Sequence, residues 1–215
     1  MNGFFISLEG IDGAGKTTQV RRLARRLAGL GLEVVTVREP GGTGLGEAVR
    51  RILKDPEKVI DPRAEACLYA AARAELVAQV ILPALKARKV VLADRFSAST
   101  LAYQGAGRGL PEELLTQINT LVTQDLYPDL TVLIDLPVEE ALARVSRGRA
   151  HDRMERLGSS FFVRVRECYL RLAKEGGSRF VLVDGTKAPA AVETEIFRVV
   201  WEALQKWMTV SGGRR

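Results

Sequence analysis

An eight-residue segment near the N-terminus has the composition of a phosphate-binding loop. Residues 10–17 read Gly-Ile-Asp-Gly-Ala-Gly-Lys-Thr and match the pattern G-x-x-x-x-G-K-[ST]. Its glycines let backbone N–H groups approach phosphate oxygens, its lysine reaches the outer phosphates, and its threonine hydroxyl can ligate Mg²⁺. The residues expected at the triphosphate are Gly10, Gly13, Ala14, Gly15, Lys16, Thr17 and Thr18. Thr18 can alternatively cap or pack the following helix.

Two charged residues, Asp94 and Arg95, directly follow the apolar run 90–93. Asp94 holds the position from which a phosphate-loop protein presents an acid to the metal or its water shell, so we expect Thr17 and Asp94 at a Mg²⁺ ion. An ordinary turn at the end of a strand is the alternative for Asp94. Arg95 follows directly, and its guanidinium suits bidentate recognition of a second phosphate. The pair therefore predicts two phosphorylated ligands.

Five short β-branched runs alternate with helical patterns along the chain. The runs cover residues 4–8, 33–37, 90–93, 130–136 and 180–183. Short apolar runs of this kind are typical of buried parallel strands. Their alternation with helical patterns predicts an α/β fold with a doubly wound five-stranded parallel sheet flanked by helices. Ligands bind at the carboxyl ends of such strands. Both charged motifs lie there, so a phosphate-loop kinase architecture with a short lid is expected.

Length and composition predict one ordinary domain. The chain has 215 residues, of which 47% are hydrophobic and 27% charged. We expect a single kinase domain over residues 1–210, with a lid at about 145–158 and a flexible tail at 211–215. The apolar runs are far shorter than the roughly 18 to 20 residues that span a bilayer, so we expect no membrane partner. We expect the protein to be located in the cytoplasm. Two distant cysteines and one histidine make a zinc site improbable.

Positive charge is concentrated after the fourth strand. The net charge is +6, and residues 144–171 contain eight arginines against three acidic residues. A solvated helix face, a lid over phosphates and a nucleic-acid clamp are the three readings of this segment. It lacks the interleaved aromatic residues typical of RNA-binding modules, so a nucleic-acid partner is the least favoured.

Taken together, the motifs resemble those of the thymidylate kinase family within the phosphate-loop nucleoside monophosphate kinases. They are residues 9–19, 38–43, 69–73, 94–96 and 102–105. The Glu-Pro-Gly-Gly-Thr and Asp-Arg-aromatic segments separate this family from adenylate kinases, and the resemblance covers nearly the whole chain. It implies transfer of a phosphoryl group from ATP to dTMP with Mg²⁺, in a homodimer packed through helices.

The resemblance also implies roles for residues around the acceptor. Asp12 would lie near the sugar 3′-hydroxyl, and Arg95 and Arg73 would hold the acceptor phosphate. Tyr69, where the family often has Phe, would stack on the pyrimidine; without the family, a core position is the simpler reading of this aromatic residue. Because Arg73 follows Tyr69 by four residues, one helix could hold both base and phosphate.

Further positions match the family at the two nucleotides. Ser99, Tyr103 and Gln104 occupy the stretch that reads the pyrimidine edge and excludes a ribose 2′-hydroxyl, with plain helix surface as the alternative. Arg38 and Glu39 would frame the acceptor and its Mg²⁺, or be solvated charges at the end of a strand. On the donor side, Arg144 would pack on adenine, and a loop containing Gly185 would meet the base through its main chain. These residues are Ser99, Tyr103, Gln104, Arg38, Glu39, Arg144 and Gly185.

The sequence departs from part of the family inside the phosphate loop. Some members carry an arginine directly after the acid, whereas this chain has Gly13. Members without that arginine have a basic lid, so we expect Arg153, and after it Arg149, to bridge donor and acceptor in the transition state. A kinase for another nucleoside monophosphate is the first alternative to dTMP phosphorylation, and a nucleic-acid-binding ATPase is the second.

Overall fold

A single parallel sheet forms the centre of the molecule. The computed structural model describes residues 3–145, 153–154 and 157–212. The sheet has the strand order β2-β3-β1-β4-β5. Its strands are β1 (Phe4–Glu9), β2 (Val34–Arg38), β3 (Val90–Asp94), β4 (Leu130–Asp135) and β5 (Phe180–Asp184). Each lies within one residue of its predicted boundaries, which confirms the predicted fold class.

Helices cover both faces of the sheet. They are α1 (Lys16–Gly29), α2 (Gly44–Lys54), α3 (Pro62–Leu76), α4 (Leu82–Lys86), α5 (Ser97–Thr100), α6 (Glu112–Thr123), α7 (Val138–Val145), α8 (Ser159–Glu175) and α9 (Pro189–Gly212). All six residues of β1 are buried, because β3 and β4 flank it and helices cover it on both sides. The site at the carboxyl end of the sheet therefore stands on a rigid base.

One long helix passes the length and composition test for a membrane span. It covers Pro62–Lys86, comprising α3, a π-helical segment Val77–Ile81 and α4. Leu76, Val77 and Ile81 are fully buried and pack in the cluster that contains Val91 of β3. Among the residues that the structure describes, this helix therefore packs against the sheet as part of the protein core.

A π-helical turn follows β3 and α5, where the sequence predicts no separate helix. It covers Leu101–Gly107 and buries both Tyr103 and Gln104. The wider backbone turn aims consecutive side chains at the interior, which an ordinary amphipathic pattern does not reveal. At the C-terminus, α9 continues to Gly212, which lies within the predicted tail at 211–215. In the predicted lid, residues 146–152, 155 and 156 lie outside the described residues, and Arg149 is among them.

Candidate active site

The phosphate-binding loop runs from the end of β1 to the start of α1. Gly10, Gly13 and Gly15 have φ values of 142°, 84° and 91°, a region that favours glycine. A Cβ at Gly13 would lie 2.4 Å from the carbonyl oxygen of Ala141 in α7. This conformation therefore excludes a side chain after Asp12, which gives the departure from the arginine-bearing members a steric reason.

Lys16 is buried at the N-terminus of α1 and points back into the loop. Its Nζ donates to the carbonyl oxygens of Gly10 and Ile11, both at 2.9 Å. Burial, followed by the positive charge of Arg95, lowers the pKa of Lys16 to about 8. The ammonium group is therefore held beside the loop, and its pKa of about 8 lies close to neutral pH.

Thr17 and Asp94 lie together, as the metal prediction requires. The Thr17 hydroxyl donates to Asp94 Oδ2 at 2.5 Å. Mg²⁺ prefers oxygen ligands and commonly takes one or two from protein while substrate phosphates and water complete its octahedron. The described residues include no group of three or more His, Cys, Asp or Glu placed for a metal. A hydroxyl and a carboxylate at the loop thus fit a nucleotide-bound magnesium ion.

Arg95 sits at a strained backbone position and makes several contacts. Its φ is 75°, unusual for a residue with a side chain. One terminal nitrogen donates to Asp12 Oδ1 at 2.6 Å and to the Tyr103 hydroxyl at 2.9 Å, and the other donates to the Gly10 carbonyl at 3.0 Å. Burial favours the neutral acid, yet Arg95 and Lys16 hold the pKa of Asp12 well below its ordinary range. An ionised Asp12 and a fixed guanidinium therefore lie between the loop and the rest of the cavity.

Arg73 lies in a buried network of protein contacts. Its guanidinium is fully buried and forms an ion pair with Glu39, with Nε 2.8 Å from Oε2. The remaining N–H groups donate to Thr100 Oγ1, Asn119 Oδ1, the Phe96 carbonyl and Glu39 again. All five N–H groups therefore have protein acceptors, and Arg73 lines the cavity while it joins the segments that carry those acceptors. That Arg73 holds the acceptor phosphate stays a prediction.

Arg38, the last residue of β2, and Glu39, which follows it, have different surroundings. Glu39 is buried on Arg73, and burial raises its pKa. Arg38 is exposed and donates to Glu47 Oε1 of α2 at 3.0 Å. Both residues line the cavity. Because each has an ion-pair partner, neither is merely a solvated charge at the end of a strand.

The predicted acceptor residues converge from three helical segments. Tyr69 of α3 lies on the cavity, one turn before Arg73. The Tyr103 hydroxyl donates to Asp12 Oδ2 at 2.9 Å, and Ser99 Oγ donates to Glu9 Oε2 at 2.7 Å. Gln104 donates through Nε2 to Glu65 Oε1 at 2.9 Å. None of these side chains is plain helix surface.

Donor-side residues meet at the opposite end of the site. Arg144 of α7 donates to the Gly185 carbonyl oxygen at 3.1 Å and lines the cavity. The two predicted adenine-side residues are therefore neighbours. Arg153 lies elsewhere: its Nε donates to the Leu53 carbonyl at 2.9 Å, and one terminal nitrogen lies 2.6 Å from Glu65 Oε2. The predicted bridge by Arg153 stays a prediction.

One cavity of about 460 Å³ joins these groups. Phosphate-loop residues line one part of it and Tyr69 and Gln104 another, with Arg95 between them. Its volume is in the range of small-molecule sites. The arrangement can hold two anionic ligands in contact and transfer a group between them.

Several charged residues in and around the site were missed by sequence reasoning, Lys54 of the cavity lining among them. Arg50 of α2 lines the cavity and donates to the Pro40 carbonyl at 2.9 Å, and burial followed by the charge of Arg38 lowers its pKa. Glu9 is fully buried with a raised pKa caused by burial, and it accepts from Phe96 N at 2.7 Å. Glu65 and Arg108 form an ion pair below Gln104. A charged residue inside an otherwise apolar helix or strand pattern, as at Glu65 and Glu9, is the one available signal.

The chain is similar in sequence and structure to one family of known proteins. The family model described as thymidylate kinase matches residues 8–196. A thymidylate kinase of Pelotomaculum thermopropionicum is 46% identical over 210 residues, covering 97% of each chain. One of Deinococcus radiodurans is 48% identical over 200 residues, covering 93% of this chain and 97% of the relative. The crystal structure of thymidylate kinase from Ehrlichia chaffeensis is similar with a TM-score of 0.76 and 35% identity, covering 93% of this chain and 99% of that one.

Proposed function

The chain belongs to the thymidylate kinase family, and we propose that it transfers the γ-phosphoryl group of ATP to dTMP, releasing ADP and dTDP. The observation that carries the proposal is the single cavity shared by the phosphate loop and the Tyr69–Gln104 pocket. A hydrolase or a switch needs only the first part. The part of this cavity lined by Tyr69 and Gln104, with Arg95 beside it, favours an acceptor that itself carries a phosphate.

The chain's own residues position the two nucleotides. Loop N–H groups and Lys16 hold the outer phosphates of ATP, and Arg144 with the Gly185 main chain frames its base. Arg95, fixed by Asp12 and Tyr103, holds the acceptor phosphate. Thr17 and Asp94 would hold Mg²⁺, which neutralises charge on the transferring phosphates when bound. Phosphoryl transfer needs little covalent help, so this positioning and charge account for most of the catalysis.

At the acceptor, Tyr69 stacks on the pyrimidine and Gln104 contacts its edge. Tyr103 lies beside the sugar, because its hydroxyl bonds the same Asp12 that faces the 3′-hydroxyl. Arg50, on the cavity near Arg38, adds positive charge on the acceptor side. Arg153 would reach the transferring group only after leaving Glu65, and Arg149 is the second candidate for that contact.

A homodimer is part of the proposal, supported by an apolar surface on α3 and α6. The two helices pack against each other. Ala71 and Ala78 are exposed on the α3 side, and Leu114 and Leu121 are 43% and 78% exposed on α6. Exposed apolar groups on two helices that pack together favour an interaction surface, and a second copy is the occupant that the family resemblance implies. A cytoplasmic location is proposed with it, where ATP is available.

A coupled ADP-release assay tests the function. The purified chain with ATP and Mg²⁺ is given dTMP, dUMP, dCMP, UMP, AMP or shikimate, and we expect the highest kcat/KM with dTMP. A higher value with AMP or shikimate would assign the chain to another acceptor. ATP hydrolysis stimulated by oligonucleotides without any acceptor would instead indicate a nucleic-acid-dependent ATPase.

A further inference from the structure

Glu65 is a fully buried carboxylate at the acceptor end of the cavity. It lies on α3, one turn before Tyr69. Oε1 accepts from Gln104 Nε2 at 2.9 Å and from Arg108 Nε at 3.2 Å. Oε2 accepts from Arg108 at 2.8 Å and lies 2.6 Å from a terminal nitrogen of Arg153. Two guanidinium groups and one amide thus surround a single buried acid.

The charge state of Glu65 decides what it can do. Burial raises its pKa, but the hydrogen bonds from Arg108 and Gln104 outweigh burial and leave the pKa below its ordinary value. The group is therefore ionised at neutral pH. An ionised carboxylate can only accept hydrogen bonds.

This chemistry determines which way the Gln104 amide faces. The amide has a donor nitrogen and an acceptor oxygen, and its side chain lines the cavity while only 2% exposed. A flipped amide would place its oxygen against the carboxylate, where two acceptors repel each other. The nitrogen must therefore face Glu65, and the amide oxygen is the group left to meet a ligand.

We propose that Glu65 is a positioning residue that sets pyrimidine specificity by holding the Gln104 amide oxygen toward the base. The proposal rests on the proposed function, in which Gln104 contacts the pyrimidine edge. Thymine and uracil carry an N–H group at N3, which an amide oxygen accepts. Cytosine carries an unprotonated acceptor nitrogen there, so it would face the oxygen with no hydrogen bond. The pocket thus selects bases with an N3–H group over cytosine.

The two arginines next to Glu65 determine how a glutamine at position 65 would be oriented. Arg108 and Arg153 are both largely buried, and the fully buried Glu65 accepts a hydrogen bond from Arg108 and forms an ion pair with Arg153. If residue 65 were a glutamine, its oxygen would take the Oε2 position, which both arginines contact, and its nitrogen would take the Oε1 position, where the 3.2 Å bond from Arg108 Nε is lost. Its nitrogen would then face residue 104, and the Gln104 amide would turn to present its own nitrogen to the base. That arrangement matches cytosine instead of thymine.

The test measures kcat/KM for dTMP, dCMP and dUMP in the wild type and in Glu65→Gln. We expect the dTMP-to-dCMP ratio to fall at least about tenfold in Glu65→Gln, because a donor replaces an acceptor at a buried contact. The dTMP-to-dUMP ratio should stay within about twofold of wild type, since both bases carry the N3–H group. A structural role alone would lower all three values in proportion.

Two control variants isolate the contact. Glu112→Gln removes one negative charge from α6, where Glu112 forms an exposed ion pair with Arg171 of α8, and it should leave both ratios unchanged. Arg108→Met removes one partner of Glu65 but keeps the hydrogen bond between Gln104 and Glu65. The dTMP-to-dCMP ratio should therefore stay at the wild-type value even if the free energy of unfolding falls. If Glu65→Gln does not fold, Glu65→Gln/Arg108→Met restores the charge balance of the cluster and takes its place.

The outcomes separate this proposal from the proposed function. A wild type that does not phosphorylate dTMP overturns the function. A wild type that does, together with a folded residue-65 variant whose dTMP-to-dCMP ratio is unchanged, overturns only the role of Glu65. An equal change in the dTMP-to-dUMP ratio would also overturn it, because a distorted pocket and not a turned amide would then explain the data.

Discussion

Lys16 illustrates how burial tunes a residue whose type the motif already specifies. Its Nζ is held by two loop carbonyl oxygens, and its pKa is lowered to about 8. Below that pH the side chain is charged and attracts phosphate; above it the charge is lost. The protonated form is thus the one that binds ATP.

The pH dependence of ATP use follows from that sign. We expect kcat/KM for ATP to fall above about pH 8, by roughly tenfold per pH unit, because this parameter reports groups of the free enzyme. At saturating ATP the bound phosphates stabilise the ammonium, so kcat should decline at a higher pH. Steady-state rates between pH 7 and 9.5 test this, and a flat kcat/KM profile up to pH 9.5 would contradict the lowered pKa.

Arg95 is the residue whose removal should separate the two substrates. It donates to Asp12 and Tyr103 on the acceptor side of the loop. Arg95→Ala should raise the KM for dTMP by at least about tenfold, given that a hydrogen bond to a charged group contributes about 1.5 to 3 kcal/mol, while ATP affinity changes little. Titration of each nucleotide against the variant measures both. Loss of ATP affinity alone would place Arg95 on the donor.

Tyr69 distinguishes stacking from core packing. If its ring stacks on the pyrimidine, Tyr69→Leu should raise the KM for dTMP about tenfold, since aromatic pairing contributes about 0.5 to 1.5 kcal/mol beyond burial. Tyr69→Phe keeps the ring and serves as the matched control, with a mild effect. Unchanged dTMP kinetics in a Leu variant of wild-type stability would make Tyr69 a core residue.

At the scale of elements, Arg73 joins segments that are distant in sequence. From α3 it reaches Glu39 after β2, Thr100 in α5 and Asn119 in α6. Its buried network therefore holds α3, α5 and α6 against the end of β2. The helix that carries Tyr69 is positioned by this network and not by apolar packing alone.

Breaking that network should cost stability before it affects binding. Arg73→Met leaves Glu39 buried without its partner, and we expect a loss of about 3 to 5 kcal/mol in the free energy of unfolding. Arg63→Met on the same helix is the control, because the Arg63 side chain is 82% exposed, and its change should stay within about 0.5 kcal/mol. Urea unfolding measures both. Equal stabilities of the two variants would contradict the role assigned to Arg73.

The whole molecule presents an apolar surface on α3 and α6 that suits a second copy. Leu121→Glu places a charge at its most exposed leucine, so it should shift the chain from dimer to monomer in sedimentation velocity. Val59→Glu alters a fully exposed loop residue outside that surface and should leave the dimer intact. A wild-type monomer at micromolar concentration, or a dimeric Leu121→Glu, would contradict the proposed assembly.

Local signals were sufficient for much of the fold and for the phosphate loop. The five strands are short apolar runs bounded by polar residues, and the loop is a contiguous motif between a strand and a helix. The π-helical turn Leu101–Gly107 was missed because it lacks the 3.6-residue apolar period. Arg50 was missed because a basic residue on an amphipathic helix reads as surface until the neighbouring loop is placed beside it.

The sequence by itself determined the type of nucleotide chemistry, since residues 10–17 carry their function in consecutive positions and Gly13 excludes a loop arginine. Only the tertiary structure decided how the charged residues pair. Arg73 and Glu39 are 34 positions apart, and Gln104 and Glu65 are 39 apart. A buried charge must find its partner wherever the chain brings one near, and that partner fixes where the charged side chain points. The orientation of the Gln104 amide is set in the same way, by an acid from another helix.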